Sequence, residues 1–417
     1  MRARVVMGLH LKCNGLGPRE FESRRRRAMK ECVKRKTILK CIHFLDMKVG
    51  ILINNAAQFV NGSEQQPQFV IEMLQNLGIS YTVYSHRGKE NLCGIERSNM
   101  FNETRLELID EADLSEITVF IMICHIVEDT SSLSAELKDK LADKKVVQFH
   151  CGNHCIFNAE DIVFDKHNVV RLLYNSWFTE LWTFSMHFFA KDYYELLTKK
   201  PCKLMPYSWS PSLLSKYLVE NHLDISCAPE GYSGPLTLCC FEPNLNVTKT
   251  CQCPLLIMDS FYRKYPSRVH KCFIFCAKQL LEHKSFKDFI AFLEIVRDDK
   301  VEFYPRMAFP EIMKQMKERQ LSPVIVGHQI YNDQNYLSLE AIHLGYPIVH
   351  NSPSIQNAGF FYPEFNLHQG FEQLEKVSKE FYKPEFYSNY QSRARKILSD
   401  HHTGNPVLLE HFFRLLS

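Results

Sequence analysis

Short runs of β-branched and aromatic residues alternate with stretches of helical periodicity from Lys48 to the end of the chain, and no other feature limits the fold as strongly. The first run covers residues 49–54, and a polar loop then leads to apolar residues at helical spacing, which stop at Gly78. A repeated order of strand, loop and helix is typical of parallel sheets covered by helices. The sequence therefore predicts an α/β fold.

The same alternation predicts where most strands and helices lie. Further strands are expected at residues 81–84, 118–126, 146–150, 181–184, 236–241, 270–276, 301–304, 324–328 and 348–350, and helices within 134–141, 249–263, 286–297, 311–319 and 336–344. Residues 207–235 are rich in proline and glycine, which is typical of a linker. We predict two Rossmann-like, doubly wound domains facing a central cleft, at residues 47–210 and 236–390, joined by a linker at 211–235. Helices at residues 391–417 could cross back to the first domain.

Length, charge and cysteine content narrow the function classes. A chain of 417 residues suits two domains of ordinary size. The net charge of +3 is too small to indicate a nucleic-acid partner. Apolar runs are far shorter than the roughly 20 residues of a membrane span, so we expect no integral membrane segment. We interpret the 15 scattered cysteines as reduced thiols of a cytoplasmic protein.

Residues 1–46 differ from the rest because they carry basic clusters at 24–27 and 34–36 and have no sustained apolar period. We interpret this arm as a solvated segment, with nuclear localisation or RNA binding as the alternative. Met47 directly precedes Lys48 and the first strand, so the arm could also reflect a non-native start.

Several familiar nucleotide motifs are absent. The chain has no G-x-G-x-x-G and no G-x-x-x-x-G-K-[ST], which argues against a dinucleotide dehydrogenase and a P-loop NTPase. It also lacks the Asp-x-Asp pair with which many glycosyltransferases hold a divalent cation. A nucleotide would therefore be held by helix N-termini and cationic side chains, without a metal.

One candidate phosphate site follows the strand at residues 236–241. There Glu242, Pro243 and Asn244 lead through a loop to Lys249 and Thr250, at the predicted start of a helix. A helix N-terminus offers free N–H groups and a positive dipole, and the lysine adds a full charge. We expect a pyrophosphate to bind there; an ordinary solvated lysine is the alternative.

A second candidate site is the segment from His328 to residue 352, which is unusually rich in amide, hydroxyl and imidazole groups for a surface loop. Glu340 lies in the helix that follows, where a carboxylate facing the cleft can accept two hydrogen bonds from a ribose diol. An exposed helix glutamate is the alternative. The loop residues expected to contact the sugar or the phosphate are His328, Gln329, Asn332, Asn335 and Tyr336.

The first domain contributes two further positions. Asn61 and Gly62 follow the first strand, where glycine permits close approach of the backbone to a donor phosphate. His150 ends a strand and Asn153 follows it, in a region where the glycosyltransferases that this chain resembles (see below) keep a histidine touching the transferred sugar; the alternative is a structural histidine, which is common at a strand end. The same cluster, His150, Cys151, His154 and Cys155, could also be read as zinc ligands, but it lacks a second pair at finger-like spacing.

The segment from residue 338 to 349 resembles the nucleotide-sugar signature of retaining GT-B glycosyltransferases, in which two glutamates separated by seven residues precede a glycine and a proline. The resemblance implies that Glu340 is the ribose-binding glutamate, and it places Asn332 where the family has its first glutamate. Lys249 matches the lysine of the family's phosphate loop, and Asn244 lies near the position of its arginine.

From about Lys48 to the C-terminus the chain is more closely similar to a family of glycosyltransferase-like proteins from bacteria and large DNA viruses. The matching segments are residues 61–62, 152–153, 180–183, 208–211, 242–244, 249–251, 328–329, 335–336, 346–352 and 362–363. This resemblance implies a fold more directly than a reaction.

We predict a glycosyltransferase that moves a sugar from a nucleoside-diphosphate donor to a glycan or glycoprotein acceptor, with no cofactor besides that co-substrate. His150, Asn153, Lys249 and Glu340 are the expected catalytic residues. The expected donor-binding residues are Asn61, Gly62, Asn244, Lys249, Thr250, His328, Gln329, Asn332, Asn335, Tyr336 and Glu340. Retention of configuration is implied by the resemblance alone. The alternatives are a degenerate GT-B domain that binds a glycan or nucleotide sugar without turnover, and a sugar-nucleotide epimerase of the same fold.

Overall fold

The computed structural model describes residues 47–53, 62–85, 106–124, 132–166, 177–227, 229, 232–333 and 335–417. Residues Val49–Ser417 form one compact unit. The predicted basic arm, residues 1–46, and the predicted donor-binding residue Asn61 lie outside the described residues.

Seven strands of the described chain form the first sheet, in the order β3-β2-β1-β4-β5-β6-β7. They are β1 (Lys48–Leu52), β2 (Ser80–Ser85), β3 (Leu106–Leu108), β4 (Val119–Ile123), β5 (Lys145–His150), β6 (Glu180–Phe184) and β7 (Cys202–Met205). The pairings of β4 with β1 and β5, of β6 with β5 and β7, and of β2 with β3 are parallel. We call this sheet and its helices the first lobe.

Six strands form the second sheet, in the order β10-β9-β8-β11-β12-β13, as far as the structure describes the chain. They are β8 (Leu236–Cys240), β9 (Val269–Ile274), β10 (Val301–Phe303), β11 (Pro323–Val326), β12 (Ile348–His350) and β13 (Phe360–Phe361). All of their pairings are parallel. We call this sheet and its helices the second lobe.

Helices connect the strands in both lobes. The first lobe has α1 (Gly62–Leu77), α2 (Ser132–Lys140), α3 (His154–Phe164), α4 (Lys191–Thr198) and α5 (Ser212–Glu220), the last within the predicted linker. The second lobe has α6 (Gln252–Lys264), α7 (Lys284–Ala291), α8 (Glu294–Arg297), α9 (Phe309–Glu318), α10 (Tyr336–His343) and α11 (Leu367–Lys376). The chain ends in α12 (Pro384–His401) and α13 (Pro406–Leu416).

Continuous apolar strands explain why both sheets are covered on two faces. Every residue of β4 and of β8 is buried, which is typical of central strands in parallel sheets. In the first lobe, helix residues such as Leu137 and Tyr194 pack against strand residues such as Phe120 and Leu181. The predicted α/β fold with two Rossmann-like sheets is confirmed.

The structure corrects some boundaries. Of the strand predicted at residues 118–126, Val119–Ile123 form β4 and residue 124 lies in a bend, while residues 125–126 lie outside the described residues. The helix predicted within 286–297 is two helices, because the buried Asp259 carboxylate accepts a 3.0 Å hydrogen bond from the backbone N–H of Ile295 and caps a new helix there. The short strands β3, β7 and β13 have no counterpart among the predicted strands.

The chain passes between the lobes twice at one place. The backbone N–H of Trp209 donates to the carbonyl of His401 at 2.8 Å, and the N–H of Thr403 donates to the carbonyl of Trp209 at 3.1 Å. Beyond this crossing, α13 packs on the first lobe, where the ring of Phe412 lies edge-on to Trp182 at 6.2 Å. The last helix is therefore part of the first lobe's core.

Candidate functional site

Polar residues gather where parallel strands of both sheets reach their carboxyl ends. In the second sheet, β8 and β11 are neighbours on either side of the strand-order reversal, and Glu242 and His328 follow them. In the first sheet, His150 ends β5 and His187 follows β6. Ligands of open α/β sheets bind beyond the carboxyl ends of the strands, so these residues mark the candidate site.

Asn244 folds the predicted phosphate loop. It has a positive φ of 54°, its backbone N–H donates to the carbonyl of Lys249 at 3.1 Å, and its side-chain oxygen accepts from the N–H of Cys251 at 2.8 Å. Its amide nitrogen donates to the carbonyls of Glu242 and Cys276 at 2.8 and 3.2 Å. Asn244 therefore bonds to residues of its own loop and to Cys276, which follows β9.

The position of Lys249 in this loop requires a correction. The sequence predicted that Lys249 lies in the first turn of a helix. Helix α6 begins at Gln252, however, so Lys249 and Thr250 lie in the turn before the helix. The cause is the Asn244 side chain, which accepts the N–H of Cys251 and holds the preceding residues in a turn. Lys249 therefore reaches the cleft from a loop.

Two carboxylates influence the charge of Lys249. Burial lowers the pKa of the Lys249 ammonium, while the carboxylates of Glu242 and Asp333 oppose this shift. Burial also raises the pKa of Glu242 to about 7, against the influence of Lys249 and of the His328 N–H, which donates to Glu242 Oε1 at 3.0 Å. The second Glu242 oxygen has no hydrogen-bond partner among the described residues.

A first-lobe histidine that the sequence analysis missed faces this cluster. His187 lies in a 3₁₀ turn, Ser185–Ala190, and is fully buried. Burial, with a smaller contribution from the charge of Lys249, lowers the pKa of His187 to about 4, and interaction with the Asn332 side chain opposes the shift. The two lobes thus bring His187, Lys249 and Asn332 together.

Asn332 also joins the two loops of the second lobe. Its side-chain nitrogen donates to Thr248 Oγ1 at 3.2 Å, and its backbone N–H donates to the side-chain oxygen of Gln329 at 2.8 Å. Gln329 is in turn held by Asn351, whose side-chain oxygen accepts the Gln329 N–H at 2.8 Å. The side chains of Gln329 and Asn351 therefore shape the loop that presents Asn332.

His328 is held in one tautomer. Its Nδ1 lies 3.0 Å from the hydroxyl of Tyr362, and that hydroxyl donates to the carbonyl of Gly327 at 3.0 Å. Because a hydroxyl has a single proton, Tyr362 must accept from His328 Nδ1–H, which leaves Nε2 as an acceptor. Burial lowers the pKa of His328 to about 4, so the ring is neutral near pH 7.

Glu340 is buried at the junction of the lobes. Gln65 on α1 donates from Nε2 to Glu340 Oε1 at 3.1 Å, and burial raises the pKa of Glu340 to about 8 against this bond. One turn earlier on α10, the hydroxyl of Tyr336 donates to the side-chain oxygen of Gln66. Neither glutamine was expected at the site, since nothing in their sequence context marks them.

A tyrosine of the first lobe packs against the start of α10. The first-lobe residue Tyr207 stacks on Tyr336 at 5.5 Å and accepts the Asn335 N–H at 3.2 Å. Burial raises the pKa of Tyr207, and the charges of Asp333 and Glu340 add to that shift. Tyr207 therefore lies within electrostatic range of both carboxylates.

Of the remaining predicted first-lobe residues, Asn153 contacts the second lobe directly. Burial lowers the pKa of His150 to about 3, and its ring lies 4.2 Å from that of His154. Asn153 caps α3 and donates to the carbonyl of Tyr331 in the second lobe at 2.6 Å. Gly62 begins α1. No group of three or more His, Cys, Asp or Glu side chains in the described part of the chain is arranged to hold a metal ion, including the cluster from His150 to Cys155.

Comparison with known proteins identifies a family. The model of a family described as "Protein of unknown function (DUF2827)" matches residues 47–416. No curated protein matches the chain. None of the helices in the described residues has the length and apolar character needed to cross a membrane.

Solved structures resemble this chain over most of its length. A glycosyltransferase from Rickettsia africae is 11% identical, with 89% of this chain and 98% of that chain covered and a TM-score of 0.53. A sucrose-phosphate synthase from Thermosynechococcus elongatus is 11% identical, with 89% and 99% covered and a TM-score of 0.52. The N-terminal domain of a Candida albicans trehalose-6-phosphate phosphatase is 9% identical, with 89% and 96% covered and a TM-score of 0.55. These likenesses show the GT-B fold.

Proposed function

The chain belongs to the DUF2827 family, and we propose that it transfers a sugar from a nucleoside-diphosphate donor to an acceptor hydroxyl in the cleft between its lobes. The GT-B fold supports this proposal in general terms. The observation that carries it is the convergence of Lys249 and Asn332 from the second lobe on His187 from the first. A cation and neutral hydrogen-bonding groups then surround the place where the leaving diphosphate and the sugar would lie.

The proposed reaction exchanges one bond at the anomeric carbon for another. The bond from this carbon to the diphosphate oxygen breaks, the bond to the acceptor oxygen forms, and the acceptor proton passes to the leaving diphosphate. Lys249 stabilises the charge that develops on the leaving group, in surroundings from which water is largely excluded. Glu340 accepts the ribose hydroxyls in place of the Gln65 side chain, which donates to it in this structure.

The neutral groups are suited to sugar hydroxyls. His328 Nε2 is an acceptor, and the side-chain oxygen of Asn332 has no hydrogen-bond partner among the described residues. Both can accept from a hydroxyl without adding charge. Retention of configuration and independence of metal ions are parts of the proposal, and Lys249 would then supply the charge that a divalent cation supplies elsewhere.

A binding module without turnover is the second candidate. Asn332 stands where the related signature has a glutamate, and the Glu242 and Asp333 carboxylates partly compensate the charge of Lys249. Each feature weakens the grip on an anionic donor. Release of nucleoside diphosphate from the donor distinguishes an enzyme from such a module.

Calorimetric titration with nucleoside diphosphates tests the proposal, using the base that the wild type binds best. Loss of a charge-assisted hydrogen bond typically costs about 1.5–3 kcal/mol, so Lys249→Ala at pH 7.5, and Glu340→Gln at pH 9, where the Glu340 carboxyl is ionised, should each weaken binding roughly ten- to a hundredfold. The exposed residues Lys396 and Glu318 provide matched controls, as Lys396→Ala and Glu318→Gln. Equal binding by all four variants would place the nucleotide elsewhere. EDTA treatment of the wild type should leave its affinity for the nucleoside diphosphate unchanged.

A further inference from the structure

Three aromatic side chains stand exposed at the mouth of the cleft. Phe188 and Phe189 of the first lobe are 65% and 45% exposed, and Tyr331 of the second lobe is 66% exposed. The Phe189 ring meets the Tyr331 ring edge-to-face at 5.5 Å and the Phe188 ring at 5.8 Å. We call these three residues the aromatic rim. It is contributed by both lobes.

The aromatic rim is joined directly to the candidate site. Phe188 follows His187, and Tyr331 precedes Asn332, so on each lobe a buried polar residue of the site is the chain neighbour of an exposed ring. His187 and Asn332 interact across the cleft. A molecule lying on the rings would therefore extend toward the groups proposed to surround the transferred sugar.

The backbone holds Tyr331 in an unfavourable conformation. Its φ is +50°, a left-handed value that is unusual for a bulky side chain. The Asn153 side chain donates to the carbonyl of Tyr331 at 2.6 Å and fixes this turn from the opposite lobe. Such strain tends to persist at ligand sites, where it sets the direction of a side chain.

We propose that the aromatic rim is the acceptor subsite and that its ligand is a glycan, with a pyranose ring stacked on Phe189 and Tyr331. Aromatic faces carry partial negative charge and attract the C–H groups on one face of a sugar ring, while the sugar hydroxyls at its edge stay in water. The rings carry no charge and bury little against each other, which suits a neutral ligand that is partly solvated. This inference rests on the proposed function and names its acceptor class.

An array of immobilised oligosaccharides, probed with the full-length protein in the presence of the nucleoside diphosphate, tests the proposal. Wild type should bind at least one glycan, and the free form of that glycan should bind roughly tenfold more weakly to Phe189→Ala and Tyr331→Ala. Tyr331→Phe should bind as wild type does, since it keeps the ring. Phe292→Ala, which removes a phenylalanine that is 82% exposed elsewhere on the second lobe, is the matched control.

Tyr331→Gly separates binding from folding. Glycine adopts a positive φ without strain, so the melting temperature of this variant should not fall, whereas its affinity for the glycan should fall as in Tyr331→Ala. Nucleoside diphosphate affinity, measured on the same samples, should be unchanged in every rim variant.

Each result decides between the two proposals. If wild type binds nucleoside diphosphate but no glycan, or if rim variants bind glycans as tightly as Phe292→Ala does, the acceptor subsite is refuted and the proposed function stands. Binding of the rim to phosphatidylcholine vesicles, with no glycan bound, would also refute it. If no nucleoside diphosphate binds at all, the proposed function itself fails.

Discussion

Nε2 of Gln65 on α1 donates a 3.1 Å hydrogen bond to Oε1 of Glu340 on α10, and this bond connects the two lobes at a buried position. The carboxyl group is 4% exposed and lies far from the Lys249 loop in sequence. The Gln65 side chain donates this bond without carrying a charge, so it does not offset the cost of burying an ionised carboxylate. Burial therefore favours the protonated form of Glu340 in the folded protein.

The first prediction concerns Glu340 and alkaline pH. Burial raises the pKa of Glu340 to about 8 in the folded protein, above its ordinary value of 4.5, so its contribution to stability is present at low pH and is lost as pH rises from about 4.5 through 8. Glu340→Gln resembles the neutral acid and keeps an oxygen for Gln65. In urea denaturation the variant should match wild type at pH 5 and exceed its free energy of unfolding by about 1 kcal/mol or more at pH 9. A variant that is less stable than wild type at pH 9 would contradict the raised pKa of the Glu340 carboxyl.

The second prediction concerns His187 and acid. Its folded pKa of about 4 lies below the ordinary 6.5, so stability is full above pH 6.5 and declines as pH falls toward 4. At pH 5.5 this single group should account for about 1 kcal/mol, because it is protonated only in the unfolded chain. His187→Gln should therefore lose less stability than wild type between pH 7.5 and 5.5. Parallel pH profiles of the two proteins would show that His187 is charged when folded.

A third prediction restores the glutamate of the related signature. Asn332→Glu would add a carboxylate beside Glu242 and Asp333, which already face Lys249. We expect the free energy of unfolding to fall by about 1–3 kcal/mol at pH 7.5 and by less at pH 5, where the added group is protonated more readily. Asn332→Gln, of the same length but uncharged, is the control. Equal stability of the two variants at pH 7.5 would mean that the cleft tolerates the charge.

The fourth prediction concerns residues 1–46. The family model begins at residue 47, and both sheets and their cores lie within the unit Val49–Ser417. Deletion of residues 1–46 should leave the melting temperature and the affinity for nucleoside diphosphate unchanged. Insolubility, or a melting temperature several degrees lower, would show that the arm contributes to folding.

Sequence patterns predicted the sheets better than the site. β4 is continuously apolar and β8 is apolar apart from Thr237, so both strands could be placed from local sequence alone. The loop around Lys249 was misjudged because a single side chain, Asn244, delays the start of α6, and helical periodicity does not register such a bond. His187, Gln65 and Tyr207 were missed because each acts through a residue in the other lobe, and only the folded arrangement brings them there.

The crossing of Trp209 with His401 has a consequence for how the protein is made. The first lobe contains Trp182 and β7, yet the helix that covers them, α13, follows the whole second lobe in the sequence and leaves the ribosome after it. The second lobe is continuous in sequence and can complete its own sheet earlier. During synthesis the core of the first lobe therefore stays incomplete while the second lobe emerges, and Trp182 remains uncovered until α13 is made. Nascent chains stalled before residue 406 should accordingly be the form that chaperones recognise, and the first lobe should close only once α13 has emerged.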